Sequence, residues 1–267
     1  MTAEQLSALD QAPLLQRFVL GSRGSDLALA QARMAECALR KKWAIEVQIE
    51  IVRTRGDEGS RRTGVFNLGS KKAGRKGIFT AELERALVEK RIDVAIHSAK
   101  DIPSEMDGAL MIAAVLARAE VEDLLLRKGD ASTLITTIAT GSVRRQRQTR
   151  AINSEAQIVP LRGNVPTRLR KFIESDWDAM ILARAGLERL GFSPPEFEFE
   201  GRRIFAEILP TENFLPAGGQ ASSLCKRGKR IFRCVRLCHP LMIVRRTCVC
   251  GPSESSCDYC RVIAICR

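Results

Sequence analysis

The chain has 267 residues, 45% of them hydrophobic and 28% charged, with a formal net charge of +12. That length and apolar content suffice for two α/β domains with cores of their own, and no apolar run is long enough to span a membrane. Eight of the twelve net positive charges fall in residues 221–267, where ten Lys or Arg face only Glu254 and Asp258, so the body before them is only mildly basic and nucleic-acid binding by it finds no support in charge.

In chain order, Met1 to Gln16 lacks the basic-then-apolar pattern of a secretory signal, and a cytoplasmic protein without membrane or nucleic-acid partners is the expectation. Arg17-Phe18-Val19-Leu20 reads as a buried strand, and Ser25-Asp26 as the cap of a helix running through Arg40. Ile45, Val47, Ile49 and Ile51 alternate with polar residues, which predicts a half-buried strand. Gly56 to Gly77 is rich in Gly, Arg and Lys and reads as a basic lid or, more blandly, a solvated connector. Helical spacing at Phe79, Leu83, Ala86 and Leu87 predicts a helix from Phe79 to Lys90. The apolar run Ile92 to Ile96 predicts a buried strand ending at a loop, His97 to Pro103, and Met111 to Val115 a further strand. Gly141-Ser142 ahead of Val143 reads as a loop entering a helix; Gln157 to Leu161 and Ala179 to Leu182 read as strands, and Val165 to Ser175 as a helix. This alternation predicts parallel sheets with helices on both faces.

Two clusters carry chemistry. Arg144, Arg145, Arg162 and Arg168 fall within twenty-five residues, beside Gly163 or at helix starts. Arginine grips carboxylate or phosphate with a planar fork, and the free N–H groups of a helix start favour anions, so the cluster points to a polyanionic small molecule. Asp101 is the one carboxylate in the loop His97-Ser98-Ala99-Lys100-Asp101-Ile102-Pro103, at the carboxyl end of a strand where α/β sheets collect ligands. A turn in which Asp101 bonds its own backbone is the bland alternative. Beside an arginine-lined site, the same carboxylate suits stabilising a cationic intermediate.

Long ordered motifs connect these clusters: Arg23-Gly24-Ser25-Asp26-Leu27-Ala28, Lys76 to Glu84, His97 to Pro103, Gly141-Ser142-Val143-Arg144-Arg145-Gln146, Arg162 to Leu169 and Leu215-Pro216-Ala217-Gly218-Gly219-Gln220. In order and spacing the stretch from about Arg17 to Gln220 resembles the porphobilinogen deaminase (hydroxymethylbilane synthase) family. The resemblance implies an α/β fold of two domains resembling type II solute-binding proteins around a cleft, residues 1–117 plus 206–220 and residues 118–205. The chain is then expected to cross between them near Arg118 and back near Ala206. It also implies a monomeric transferase joining four porphobilinogen units into linear hydroxymethylbilane with release of ammonia, on a covalent dipyrromethane cofactor. By motif match, Asp101 is the expected catalytic residue, stabilising pyrrole nitrogens and the cationic azafulvene. Arg23, Ser25, Lys76, Ser142, Arg144, Arg145, Arg162 and Arg168 are the expected binders of substrate and cofactor carboxylates; no metal ligand is implied.

After Gln220 the resemblance stops. Residues 221–267 hold eight of the nine cysteines, alternate short apolar pieces with arginines, and offer neither a helical face nor a strand register. Read one base out of frame, the codons compatible with this tail permit a translation similar to the family's third α+β domain and its Gly-x-Cys-x-x-Pro loop. A shifted frame after Gln220 is therefore the expectation, with the third domain lost or unrecognisable and the cofactor-attachment cysteine missing, which makes activity of this chain doubtful. The corresponding position falls at Val262 and Ile263, while Cys260 and Cys266 lie nearby in an unrelated context. Two other readings stay open: a solute-binding module for a small dicarboxylate without catalysis, and zinc or nucleic-acid binding through the tail, where Cys257 and Cys260 have knuckle spacing.

Overall fold

The computed structural model describes residues 17–43, 45–53, 80–103, 106–128 and 134–228. The expected basic lid, Lys76, Phe79 and every cysteine from Cys234 onward lie outside the described residues. The described chain forms two sheets. The first has strand order β2-β1-β3-β11-β4, from β1 (Arg17–Ser22), β2 (Glu46–Ile51), β3 (Val94–Ser98), β4 (Leu110–Val115) and β11 (Ser223–Gly228). The second runs β7-β6-β8-β5-β10-β9, from β5 (Asp123–Arg127), β6 (Thr137–Ala139), β7 (Gln157–Val159), β8 (Ala179–Ala183), β9 (Glu196–Phe199) and β10 (Arg202–Leu209). The α/β class read from the alternating elements is the observed one.

Helices form where apolar spacing and end signals agree. α1 (Asp26–Lys42) buries Ala32, Ala35 and Leu39 on the first sheet and carries Asp26 in its first turn and Arg40, Lys41 and Lys42 in its last, matching its dipole. α2 (Ala81–Val88) buries Leu83, Ala86 and Leu87 at the predicted spacing. α3 (Val143–Ile152) and α4 (Val165–Glu174) begin at Ser142 and Asn164; the Asn164 side chain accepts from Thr167 N at 2.9 Å, and Pro166 sits in the first turn, where its missing N–H does no harm. A short α5 (Arg184–Glu188) follows β8.

Two expectations need correction. The sheets are mixed: β11 runs antiparallel to both β3 and β4, and β5 is antiparallel to β8 and β10. These strands enter their sheets directly from the other half of the molecule, without the helical crossover that makes neighbours parallel. Ala206, near which the return crossing is expected, lies inside β10, paired with Leu126. Finally, the tail does hold a strand register at its start. Ser223 to Gly228 fills the gap between β3 and β4, with Leu224 and Cys225 buried among core residues and a bulge at Cys225/Lys226. A ladder on both sides compensates for the poor alternation of its own side chains.

Candidate functional site

The strand Val94-Ala95-Ile96 is buried, and the chain leaves it through a 3-10 turn, Ala99–Asp101, at the carboxyl end of β3. The returning chain braces this turn. Ala99 N donates to Ser222 O at 2.9 Å, and Gly219, at φ +71°, lies so close that an added Cβ would sit 3.1 Å from Lys100 N. Asp101 is half-buried and lines a small concavity with Arg23, Ala28, Gln31, Thr80, Ile96, His97 and Ser98. Gln31 is buried there, its amide donating to Ser98 Oγ at 3.0 Å and Ser223 Oγ at 2.8 Å. Burial, reinforced by Lys226 and Arg23, holds the His97 imidazole down at about 3, so it is neutral, and its Nε2 has no hydrogen-bond partner among the described residues. A wider depression is lined by Arg33, Glu36, Cys37, Arg40 and Lys41, all from α1, and is a surface groove far simpler than a convergent site.

Charges of the second half face this turn. Burial lowers the Lys100 ammonium below its ordinary range; Asp101 and Asp123 oppose that, while Arg145 and Arg168 add to it. Arg168 is likewise lowered by burial and by Arg145, and raised by Asp101. Groups from both halves thus lie within electrostatic range of one another. The Arg168 Nε donates to Gly163 O at 2.7 Å. Gly163 has φ +125°, and a Cβ there would meet Thr167 Cγ2 at 2.8 Å, so the loop before α4 requires glycine. Gly141 is required for a different reason: a Cβ would lie 2.3 Å from Leu161 O.

Arg144 and Arg145, at the start of α3, converge on a residue the sequence reading passed over. Asp123 is fully buried at the start of β5; it accepts from Arg144 Nη2 at 2.6 Å, from Arg145 Nη2 at 2.8 Å and from Gln220 Nε2 at 2.8 Å. Burial pushes this carboxyl up, but the two guanidinium groups outweigh it, Arg145 foremost, and leave it below the usual carboxylate range. Arg145 also donates to Ile181 O at 3.0 Å, and Arg144 donates to Leu215 O and lies over the Phe214 ring. A legible signal existed for Asp123: an acid opening an all-apolar strand, Leu124-Leu125-Leu126, must find a partner when buried.

The expected site residues therefore divide. Asp101 and Arg23 line one concavity, and Asp101, Arg145 and Arg168 share one electrostatic neighbourhood. Ser25 stands at the N-cap of α1 without a capping bond from its side chain, whereas the Ser142 hydroxyl accepts from Arg145 N at 3.5 Å. Arg162 is exposed; its carbonyl accepts from Lys171 Nζ at 3.1 Å.

Residues 18–225 match the family model described as porphobilinogen deaminase, dipyromethane cofactor binding domain. Among curated relatives, the porphobilinogen deaminase of Syntrophomonas wolfei is 40% identical over 211 residues, covering 77% of this chain and 64% of that protein. Those of Nitratidesulfovibrio vulgaris and Chlorobium phaeobacteroides are 36% and 37% identical over 78% of this chain and 63% of their own length. The chain thus spans slightly less than two thirds of the curated relatives it matches. A Pseudomonas aeruginosa protein described as a LysR family transcriptional regulator superposes with a TM-score of 0.51 at 11% identity, over 89% of this chain and 78% of that one, a likeness of fold alone. No described helix is long and apolar enough to cross a membrane. With a family match over most of its length and relatives of the same description at these identities, the chain belongs to the porphobilinogen deaminase family.

Proposed function

We propose that the cleft between the two sheets binds porphobilinogen and the dipyrromethane cofactor, and that the whole protein joins four porphobilinogen units into hydroxymethylbilane, releasing ammonia at each step. The observation that carries this reading is the convergence of one carboxylate, Asp101, with Lys100, Arg145 and Arg168 from both halves of the molecule. Pyrrole rings bearing acetate and propionate need several cations, and a carbon left cationic by departing ammonia needs a nearby anion. The residues fit such a cofactor. Among the described residues Arg168 spends only its Nε on a hydrogen bond, the Ser25 hydroxyl is not used as a cap, and Arg23 shares a concavity with Asp101. We assign carboxylate binding to Arg23, Ser25, Ser142, Arg162 and Arg168, with Arg144 and Arg145 contributing from their anchored positions and Lys76 from the basic segment. When bound, the dipyrromethane supplies an attached acceptor for the growing chain. Asp101 faces the reacting pyrrole, and the arginines orient it through its acids. The two sheets act as two domains joined by the crossings 116–122 and 210–222, and the protein works as a cytoplasmic monomer.

The same reading holds that this particular chain makes no linear tetrapyrrole. Cys225, one of its tail cysteines, is in the core of the first sheet rather than at the cleft, and no thiol of the tail stands in the family's loop motif. Without an attached acceptor the proximity advantage, on the order of 10⁵ M in effective concentration, is lost. Incubation of the purified chain with porphobilinogen, followed by mass spectrometry, is expected to show neither covalent dipyrromethane nor product. A dipyrromethane adduct on Cys260 or Cys266 overturns the inactivity reading. Calorimetric titration with porphobilinogen tests the binding reading separately: absence of binding by the intact chain overturns it.

A further inference from the structure

We propose that Asp123 is the positioning residue of this cleft: without touching ligand, it holds Arg144 and Arg145 side by side and, through Gln220, sets them against the turn that carries Lys100 and Asp101. The inference rests on the porphobilinogen reading only for its ligand. The physical connection is continuous. Gly219 packs on Ala99 and Lys100, with an added Cβ only 3.1 Å from either backbone. The next residue, Gln220, is buried, and its amide donates to Val121 O at 2.7 Å and to Asp123 Oδ1 at 2.8 Å. Asp123 then receives Arg144 at 2.6 Å and Arg145 at 2.8 Å. The two crossings are bound to each other along the same line, through Arg118 Nε to Gln220 O at 3.1 Å, Leu116 N to Ser223 O at 2.9 Å and Ala119 N to Ala221 O at 3.3 Å.

The chemistry suits positioning rather than binding. Asp123 has no exposed surface, and its neighbours on this line supply two cations and an amide. An arginine free in solvent samples many rotamers; one whose outer nitrogens are held by a buried carboxylate presents its remaining N–H groups in one direction. Both Arg144 Nε and Arg145 Nε are buried and have no hydrogen-bond partner among the described residues, so each guanidinium keeps donor capacity after Asp123 has been satisfied. Asp123 offsets one of the pair's two positive charges, and repulsion from Arg145 still lowers Arg168.

The test uses the full chain with Asp123→Asn, which preserves shape and removes the charge. Porphobilinogen is titrated calorimetrically, and the Nε–H resonances of Arg144 and Arg145 are followed by NMR in isotope-labelled protein. The expected result is a folded variant, by circular dichroism and cooperative melting, whose affinity falls roughly tenfold or more and whose two arginine signals broaden or vanish. Unchanged affinity in folded Asp123→Asn overturns the proposal. If the unsubstituted chain does not bind porphobilinogen, the site reading fails by itself and the arginine signals decide: unaltered signals in Asp123→Asn refute positioning, and their selective loss upholds it. If Asp123→Asn does not fold, Gln220→Leu replaces it, since both ion pairs then remain. An affinity drop of about threefold or more, with shifted arginine signals, supports the link; no change in either refutes it.

Discussion

At the scale of single residues, the arginines that look alike in sequence separate into two kinds. Arg162 is exposed, whereas Arg145 is buried against Asp123 and Ile181 O. Arg162→Leu should weaken porphobilinogen binding by about 2 kcal/mol while leaving unfolding within about 0.5 kcal/mol of the parent. Arg145→Leu should instead reduce stability by about 3 kcal/mol, because it removes a partner of a buried charge. Calorimetric titration and urea unfolding of both variants check the pair of outcomes, and a reversed pattern would show the division to be wrong. His97 makes a pH prediction. The unfolded chain protonates this imidazole near its ordinary 6.5, while the folded chain resists until about 3. Its contribution to stability is therefore present above 6.5 and lost as pH falls through that window, with a slope of at most about 1.4 kcal/mol per pH unit. His97→Gln should flatten the stability curve between those limits; an unaltered curve in urea unfolding across pH would refute the assignment.

At the scale of elements, the joint between α2 and β11 is an ion pair. Lys226 is completely buried in a central strand and reaches Glu84 at 2.5 Å. Taking both charges from water removes most of what their attraction returns. Lys226→Met leaves Glu84, which keeps some solvent exposure, and should cost less than Glu84→Ala, which strands a fully buried cation and should destabilise by about 3 kcal/mol. Denaturant unfolding of the two variants decides it: equal losses in both would mean that the pair itself stabilises the joint. The loop from β6 to α3 depends on shape instead. Gly141→Ala places a methyl group 2.3 Å from Leu161 O, a backbone atom that no side-chain rotation moves. A loss of about 3 kcal/mol is expected, and a melting midpoint unchanged from the parent would contradict the close approach.

At the scale of the whole molecule, the first sheet is completed by the last described strand. β11 lies between β3 and β4, so a chain ending at Gln220 leaves β3 with an unpaired edge and separates β4 from the sheet, while one ending at Gly228 keeps the ladder. Truncation after Gly228 should preserve cooperative unfolding, and truncation after Gln220 should abolish it or lower the melting temperature by roughly 10 °C or more. Indistinguishable melting of the two fragments would show β11 to be dispensable.

Much was legible in the residues because local pattern was enough. The spacing of Leu83, Ala86 and Leu87, the alternation around Val47 and the helix expected from Val165 all matched observed elements. Gly163 near Arg168, and Asp101 in a turn after a buried strand, are arrangements that neighbours in sequence can express. The hairpin β9–β10 went unread although Glu200-Gly201 supplies two consecutive positive φ angles, at 48° and 73°. Other features depend on partners far along the chain. Arg144 and Arg145 look like free anion binders until β5 brings Asp123 beneath them, twenty-one and twenty-two residues away. Ser223 to Gly228 has no strand pattern of its own and becomes one because β3 and β4 leave a gap with hydrogen-bonding edges on both sides. Sequence by itself determined the α/β elements and the family motifs. Only the tertiary structure decided which charges neutralise one another, because burial and long-range pairing set that balance and neither is a local property.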